Sequence, residues 1–314
     1  MGSHLCEELV KLGAHVRAYL RYNALGYAGW LDESPLRDQI EFFWGDIRDA
    51  ASVAAAMEGC HTVFHLAALI SIPYSYQAPE AYIQTNVLGT ANVLQAARRF
   101  NTPRILVTST SEVYGTAQYV PIDEKHPLQA QSPYAASKIA ADKLCESYHR
   151  SFDLPVTIVR PFNTFGPRQS TRAVIPAIIT QILAGENPIR LGALTPTRDL
   201  NFVANTVNAF ITAATHHAAI GQVINFGSGR EISIGDLARK ILQLMQCERE
   251  ILCDERRLRP EKSEVNRLLA DSTLAAQLLQ WQPSVSLEDG LIRTIEWYRD
   301  PHNLAMAKPR ILRY

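Results

Sequence analysis

The sequence lacks the marks of exported, membrane-spanning and nucleic-acid-binding proteins. No apolar run approaches the roughly 18 residues needed to cross a bilayer. Glu7, Glu8 and Lys11 stand where a signal peptide is apolar, so we expect no export and a cytoplasmic location. The 31 basic and 31 acidic residues balance, so the charge favours neither a nucleic acid nor an anionic membrane as the main partner.

Cysteine is scarce, and neither cysteine nor histidine is spaced for a metal. The five cysteines are odd in number and include no C-x-x-C, which indicates free thiols in a reducing compartment. The nine histidines show no H-E-x-x-H or zinc-finger spacing, and the pair at 216–217 is interpreted as helix surface. We therefore predict no metal site.

What the sequence does contain is an alternation of apolar strand-like runs and helix-period segments, typical of a parallel sheet flanked by helices. Strands are predicted at 15–20, 40–45, 62–67, 104–110, 156–161 and 222–227. Helices are predicted at 3–12, 50–58, 79–99, 133–151, 173–184, 204–215, 233–246, 272–279 and 287–299. The fold class predicted is α/β, a Rossmann-like doubly wound parallel sheet with a smaller mixed α/β substrate domain.

The alternation loosens after about residue 165, where Gly/Pro-rich connections begin. We therefore expect two domains. Residues 1–165 form a dinucleotide-binding domain, with 200–226 also packing on its sheet. Residues 166–314 form a smaller, mixed substrate domain.

The stretch GSHLCEELVKLGAHV (2–16) is typical of the first helix of a dinucleotide-binding unit running into its second strand. Gly2 takes the place of the last glycine of G-x-x-G-x-x-G, and the first strand and first two glycines are expected ahead of Met1. A misplaced start, a deletion, or an expression-tag remnant in MGSH each explain this pattern. A missing central strand uncovers core, so we expect this chain to bind dinucleotide poorly.

The stretch YAASK (134–138) follows Ser132-Pro133, a helix start in which serine caps and proline takes the first helical position. Tyr134 and Lys138 share one helix face. The Lys138 ammonium, with a nicotinamide cation nearby, is expected to lower the pKa of the Tyr134 phenol. Tyr134 is then a candidate base toward a substrate hydroxyl, although Y-x-x-x-K alone is a weak pattern.

A second motif, TSTSEVYG (108–115), directly follows a predicted strand. Residues just beyond strand carboxyl ends line the ligand crevice of a doubly wound sheet. We therefore expect Thr110, Ser111 and Glu112 to lie in that crevice.

With these motifs, the chain resembles the extended short-chain dehydrogenase/reductase family, specifically the nucleotide-sugar 4,6-dehydratases, from Gly2 onward. The resemblance is nearest to the dehydratases of legionaminic-acid biosynthesis, which act on a nucleotide-linked N-acetylglucosamine. Its further markers are GSHL (2–5), GDIRD (45–49), HLAA (65–68), NVLGT (86–90), RPFNTFGPRQ (160–169), TRDLNFV (197–203) and LRPEKSEV (258–265).

The resemblance implies a role for each catalytic candidate. Thr110 hydrogen-bonds the substrate near C4, Tyr134 is the base at the C4 hydroxyl, and Lys138 adjusts its pKa and contacts the cofactor ribose. Glu112 removes the C5 hydrogen once C4 is a ketone, and the C6 hydroxyl leaves as water. Many 4,6-dehydratases carry Asp where this chain has Ser111, so the acid at C6 is either Glu112 itself or another group.

The resemblance also implies a cofactor site. Asp46 matches an acid that contacts adenine, although a helix N-cap is an equal interpretation, and Asn86 matches a structural asparagine of the family. The acid expected at the second strand's end is absent, since Tyr22 and Asn23 stand there beside Arg21; NAD is favoured and NADP stays open. The cofactor-binding residues predicted are Gly2, Tyr22, Asn23, Asp46, Ile47, Leu66, Ala67, Ala68, Asn86, Tyr134 and Lys138.

The substrate contacts that the resemblance implies are Asn163, Arg198 and Arg259, with Arg168 as a weaker candidate. Guanidinium groups suit bidentate contacts to a diphosphate. The helices 79–99 and 133–151 carry apolar faces beyond what one sheet must cover, and the resemblance implies that they pair across the axis of a homodimer. Three alternatives stay open: UDP-glucuronate decarboxylase, nucleotide-sugar 4-epimerase, and a catalytically impaired binding protein.

Overall fold

The computed structural model describes residues 1–307. Its strands are β1 (Val16–Arg21), β2 (Ile40–Gly45), β3 (Thr62–His65), β4 (Arg104–Thr108), β5 (Val156–Pro161), β6 (Asn163–Phe165), β7 (Ile189–Leu191), β8 (Thr197–Phe202), β9 (Val223–Phe226), β10 (Glu231–Ser233), β11 (Ile251–Cys253) and β12 (Arg267–Leu268). Its helices are α1 (Gly2–Lys11), α2 (Ala50–Met57), α3 (Ile72–Gln77), α4 (Pro79–Tyr82), α5 (Gly89–Phe100), α6 (Pro133–Phe152), α7 (Val174–Leu183), α8 (Val203–Thr215), α9 (Ile234–Leu244), α10 (Thr273–Leu279), α11 (Leu287–Arg299) and α12 (Pro301–Ala307).

The main sheet is parallel, as predicted, with the order β3-β4-β5-β9. All six predicted strands are present, with ends that differ by at most two residues. β4 and β5 are apolar and buried, which suits strands covered by helices on both faces. The α/β doubly wound class is therefore confirmed.

The first two strands stand apart from this sheet. β1 and β2 pair in parallel with each other, and β1 does not pair with β3. A cavity of about 1190 Å³ separates β1 from β3. Among the described residues, a gap therefore lies between the two sheets.

Helices hold the two sheets together across this gap. α1 contacts β1 and α8, and α8 lies on β4 and β5. On the other face α2 packs against α5, which packs against α6. Apolar side chains on both faces form the core, with Leu5 and Leu106 in one cluster and Val53 and Ile105 in another.

The predicted helix 79–99 is interrupted. A π-helical segment, Ile83–Leu88, separates α4 from α5. The other predicted helices are present, each within two residues of its expected ends. Proline at position 79 starts a new helical turn after α3, and the wider π turn then places Asn86 inside the protein.

Short strands that the sequence did not predict build the second region. β8 lies between β10 and β12 and also pairs with β6. β8 carries the polar run TRDLNF, so its pattern does not indicate a strand, yet five of its six residues are buried. This arrangement holds Arg198 and Asn163 on neighbouring strands. The two-domain division itself stays a prediction.

No helix within residues 1–307 is long and apolar enough to cross a membrane. The same residues contain no cluster of three or more His, Cys, Asp or Glu side chains placed to hold a metal ion.

Candidate active site

The TSTSEVYG segment turns sharply where β4 ends. Thr110 caps the 3₁₀ turn Ser111–Tyr114, since its Oγ1 accepts a hydrogen bond from the Glu112 amide at 3.2 Å. Gly115 ends the turn with φ of +63°, and a Cβ there would lie 2.8 Å from the Gln129 carbonyl oxygen. The turn buries Ser111 and Glu112, leaving them 2% and 8% exposed, so Glu112 is not a surface carboxylate.

The helix that carries Tyr134 and Lys138 starts as its sequence predicts. Ser132 Oγ accepts from the Ala135 amide at 3.1 Å, and Pro133 takes the first turn. Tyr134 and Lys138 are both buried on the face of α6 that meets β4 and the turn after it. The Lys138 ammonium donates to the Thr108 carbonyl at 2.7 Å, which ties α6 to the end of β4.

Thr110 and Glu112, on the turn after β4, lie close to Tyr134 on the helix packed against that turn. Burial raises the pKa of the Tyr134 phenol above its usual value, a hydrogen bond with Thr110 opposes this rise, and the charge of Glu112 adds to it. Burial lowers the pKa of Arg198, and the charge of Glu112 opposes this fall. The Tyr134 hydroxyl and the Glu112 carboxylate, which are proposed to transfer protons, therefore lie in the same region, and the Arg198 guanidinium lies beside them.

The lowering of the Tyr134 pKa by Lys138 and a nicotinamide stays a prediction. Burial lowers the pKa of the Lys138 ammonium, and burial dominates the pKa of the phenol. The protein's groups alone therefore raise the phenol pKa. The lowering expected from sequence depends on the positive charge that a nicotinamide brings.

A buried polar network holds the two catalytic segments together. Asp142 Oδ2 accepts from Ser109 Oγ at 2.9 Å and from Arg160 Nη2 at 2.9 Å. Arg160 Nη1 donates to the Tyr114 hydroxyl at 2.9 Å, and that hydroxyl donates to Asn225 at 2.7 Å. The sequence patterns did not indicate that these residues form a network. Asp142 does follow Lys138 by four positions, a spacing that places both on one helix face.

Asn86 is buried, and its side chain hydrogen-bonds two neighbouring segments rather than solvent. Its Oδ1 accepts from the Leu69 amide at 2.8 Å, and its Nδ2 donates to the Leu69 carbonyl at 3.0 Å. The same Nδ2 donates to Ser137 Oγ at 2.9 Å. Asn86 thus holds the segment that carries Leu66, Ala67 and Ala68 beside the helix of Tyr134.

Asp46 is not a helix cap. Asp49 caps α2 through the Ala51 amide, whereas Asp46 pairs with Arg48, whose Nη2 lies 2.6 Å from Asp46 Oδ2. The hydrogen bond from Arg48 lowers the pKa of Asp46 to about 2, so its carboxylate is ionised at neutral pH. Ile47 lies beside it, with its side chain against Gly89.

Two other cofactor candidates lie at the end of β1. Tyr22 is 70% exposed, and Asn23 is used in a local turn, where its Oδ1 accepts from the Leu25 and Tyr27 amides. Gly2 begins α1, and a Cβ added there would meet no atom within 4 Å. The start of α1 is therefore uncrowded, and its backbone N–H groups are suited to binding a phosphate.

Arg198 and Arg259 share a carboxylate on the substrate side. Arg198 Nη2 lies 3.2 Å and Arg259 Nη1 3.5 Å from the same Oε1 of Glu264. Asn163 Oδ1 is buried without a partner among the described residues, so it can accept a hydrogen bond from a ligand. These groups suit an anionic, hydroxyl-rich molecule.

Arg168 lies elsewhere, so its grouping with Arg198 and Arg259 is wrong. Its Nη1 is 2.9 Å from Glu7 Oε2 in α1, and it borders the cavity beside Met1 and Gly2. Its place is therefore near the start of α1, at the cofactor end of the site.

Comparisons with known proteins agree on the fold and differ on the reaction. A family model described as GDP-mannose 4,6 dehydratase matches residues 1–294. A UDP-N-acetyl-alpha-D-glucosaminuronate decarboxylase of Bacillus cytotoxicus is 34% identical over 313 residues, and a UDP-glucose 4-epimerase of Mycolicibacterium smegmatis is 33% identical over 306. Each alignment covers 96% of this chain and 96% of the relative.

Among solved structures, the dTDP-glucose 4,6-dehydratase DesIV of Streptomyces venezuelae superposes with a TM-score of 0.85. It is 28% identical, with 96% of this chain and 95% of that chain covered, and it was solved with NAD bound.

Proposed function

Because the chain belongs to the GDP-mannose 4,6-dehydratase family of extended short-chain dehydrogenases/reductases, we propose that it dehydrates a nucleotide-activated N-acetylhexosamine. The substrate proposed is UDP- or GDP-N-acetylglucosamine and the product a 4-keto-6-deoxy sugar. The Bacillus cytotoxicus relative is named for an N-acetylated sugar nucleotide and the Streptomyces venezuelae neighbour for 4,6-dehydration, which supports this combination.

The observation that carries the proposal is that the helix of Tyr134 packs against the turn of Glu112, with both side chains buried. Tyr134 removes the proton of the C4 hydroxyl, which Thr110 orients. Glu112 then removes the C5 proton, made acidic by the C4 ketone. A simple alcohol dehydrogenase needs no such second base, and neither does epimerisation at C4.

The cofactor proposed is NAD, with NADP as the alternative. Bound NAD supplies a reversible hydride acceptor, so hydride lost from C4 is returned at C6. The open start of α1 fits a pyrophosphate, and Lys138 is placed to contact the ribose and hold charge beside Tyr134. Asp46 and Ile47 lie at the adenine end, where the carboxylate accepts from an amino group.

Glu112 also protonates the C6 hydroxyl as it leaves. Ser111 stands where many relatives are expected to carry an acid, and a serine hydroxyl is too weak an acid for that step. Glu112 holds the proton taken from C5 and returns it to the C6 oxygen, so one carboxylate serves both transfers. A proton from solvent then adds at C5 as hydride returns to C6. Arg198 and Arg259 bind the diphosphate and keep Glu112 facing the sugar.

The second candidate is decarboxylation of a nucleotide-linked glucuronate. The paired guanidinium groups of Arg198 and Arg259 near Glu112 are equally suited to a C6 carboxylate. The Bacillus cytotoxicus relative is named for such a reaction.

Incubation with UDP- or GDP-N-acetylglucosamine at saturating NAD, followed by mass spectrometry, tests the proposal. Loss of one water from the sugar supports dehydration. Unchanged mass with a new C4 epimer indicates epimerase, and carbon dioxide from UDP-glucuronate indicates decarboxylase. Binding of all three substrates without turnover indicates the impaired binding protein.

A further inference from the structure

Glu264 contacts both arginines that are proposed to bind the substrate diphosphate. Its Oε1 lies 3.2 Å from Arg198 Nη2 and 3.5 Å from Arg259 Nη1, and all three side chains are mostly buried. An anion that binds these two guanidinium groups therefore meets a carboxylate that is already in place.

The contacts of this carboxylate are long and use one oxygen atom. Charge-assisted hydrogen bonds are usually about 2.7–2.9 Å long, and arginine binds a carboxylate best through two parallel bonds. Asp254, earlier in the same loop, has this stronger arrangement, since Arg256 Nε and Nη2 lie 3.0 Å from its two oxygens. Each arginine at Glu264 makes a single contact, so the carboxylate holds both of them weakly.

The two arginines need an opposite charge when no ligand is bound. Arg198 is buried, and a buried guanidinium without a counter-charge is costly. The like charge of Arg259 beside it adds to this cost. Glu264 is the counter-ion that reduces the cost in the free protein. A diphosphate brings more negative charge and more acceptor oxygens, so it is the stronger counter-ion.

The backbone of Glu264 is anchored independently of its carboxylate. Its carbonyl accepts from Gln131 Nε2 at 3.2 Å, and its amide donates to the Pro260 carbonyl at 3.1 Å. Ser263 Oγ donates to the Gln131 carbonyl at 2.5 Å, next to the serine that caps the helix of Tyr134. These bonds use backbone groups of the loop, so rotation of one side chain releases both arginines without opening the loop.

We propose that Glu264 is an internal competitor of the substrate diphosphate: its carboxylate holds Arg198 and Arg259 in the free protein and leaves them when the diphosphate binds. This inference rests on the proposed function, in which the two arginines bind that group. A ligand that binds only after Glu264 has moved has its affinity reduced by the fraction of molecules in that state. The product keeps the nucleoside diphosphate, so the same competition favours its release.

Isothermal calorimetry of the 314-residue chain with UDP and GDP as probes tests the proposal. Glu264→Gln keeps the size of the side chain and an acceptor oxygen for the arginines, but it removes the competing charge. We expect the variant to bind the nucleoside diphosphate about five- to tenfold more tightly, as follows if Glu264 occupies the arginines in about 80–90% of free molecules. Glu264→Ala also removes the charge and is expected to shift the affinity in the same direction, so the result does not depend on the folding of one variant.

Glu231→Gln is the matched control. Glu231 on β10 also pairs with an arginine, Arg267 on β12, and it is not among the proposed substrate contacts. Its substitution changes the net charge by the same amount as Glu264→Gln and is expected to leave the affinity unchanged. Uridine and guanosine, which carry no phosphate, are expected to bind the wild type and the Glu264 variants equally.

A double-mutant cycle with Arg259→Gln shows whether the competition acts through this arginine. Arg259→Gln alone is expected to weaken binding of the diphosphate, because it removes a charged contact. In the Arg259→Gln background the gain from Glu264→Gln is expected to be smaller, because less guanidinium charge remains to compete for. An equal gain with and without Arg259 would place the effect elsewhere and overturn the proposal.

Four further results would overturn it. They are unchanged or weaker diphosphate binding in both Glu264 variants, an equal gain for the nucleosides, an equal gain in Glu231→Gln, and no binding of either diphosphate to any of these proteins. The titrations contain no sugar and measure no turnover. Tighter binding in a chain that removes no water from a sugar nucleotide would therefore contradict the dehydration alone, and dehydration without this effect would contradict the role of Glu264 alone.

Discussion

Arg160 and Asp142 form an ion pair inside the protein, with Arg160 Nη2 2.9 Å from Asp142 Oδ2 and both side chains at most 3% exposed. Through Ser109 and Tyr114 the pair joins α6 to the turn that carries Glu112. Tyr134 and Glu112 belong to separate segments, so their relative position depends on this connection.

Arg160→Met is expected to destabilise the protein by about 3–5 kcal/mol, because it leaves the Asp142 carboxylate buried without its partner. Urea unfolding followed by circular dichroism measures the loss. The control is Arg239→Met, which breaks an exposed pair with Asp236 and is expected to cost at most about 1 kcal/mol. Equal effects of the two substitutions would contradict a structural role for the buried pair.

Glu112→Gln is expected to slow loss of water by about 10²-fold or more, because it removes the group that takes the C5 proton. Oxidation at C4 requires Tyr134 but not Glu112. The variant is therefore expected to accumulate reduced cofactor, which absorbance measures. Incorporation of deuterium from solvent at C5 is expected to stop. Glu261→Gln, at an exposed glutamate, serves as the control. Normal C5 exchange in Glu112→Gln would assign the base elsewhere.

His65 is expected to make the protein less stable in acid. Burial, with a smaller effect of the Lys138 charge, lowers its pKa from 6.5 to about 3, and its Nε2 lies 3.0 Å from Thr90 Oγ1. The unfolded chain therefore binds the proton more readily between these values, so stability falls as pH decreases below 6.5, by about 1.4 kcal/mol per unit.

Urea unfolding of wild type and His65→Gln from pH 7 to pH 5 measures this effect. Glutamine cannot titrate, so the advantage of wild type over the variant is expected to shrink with each unit of acidification. A constant difference across this range would show that His65 is protonated equally easily in the folded and unfolded protein.

Ile83 and Leu88, each 53% exposed on the π-helical segment before α5, support the expected homodimer. Light scattering of the purified chain is expected to give twice the monomer mass. Ile83→Glu is expected to shift it to monomer, because association would then bury a charge. Leu25→Glu changes a 90% exposed leucine on the β1–β2 connection and is expected to keep the dimer.

The parallel sheet could be predicted because its strands are apolar runs between turn signals. The catalytic segments were also predictable, since Ser132-Pro133 is a helix start and TSTSEVYG follows a strand. β8 was missed because its polar run TRDLNF is buried by tertiary contacts, in which Asp199 accepts hydrogen bonds from Ser228 and Gly229. The alternation of apolar and polar residues along a sequence does not show which tertiary partners will bury a polar strand.

The positions of single charged side chains were the hardest to predict. Arg168 shares the RPFNTFGPRQ motif with Asn163, yet its positive φ of 67° and its pairing with Glu7 direct it to α1. Burial raises the pKa of the Tyr134 phenol in the protein alone, and an i,i+4 spacing does not reveal burial.

The 314-residue chain is expected to bind NAD weakly, with a Kd of about millimolar order. Phosphates in dinucleotide-binding folds are held by a helix N-terminus and the turn that packs beside it. In this structure a cavity of about 1190 Å³ lies beside Gly2 in the first turn of α1, so the N–H groups of that turn lack a second wall to fix the pyrophosphate. Calorimetry with NAD measures the affinity. Micromolar binding by the chain alone would show that the second wall is not required.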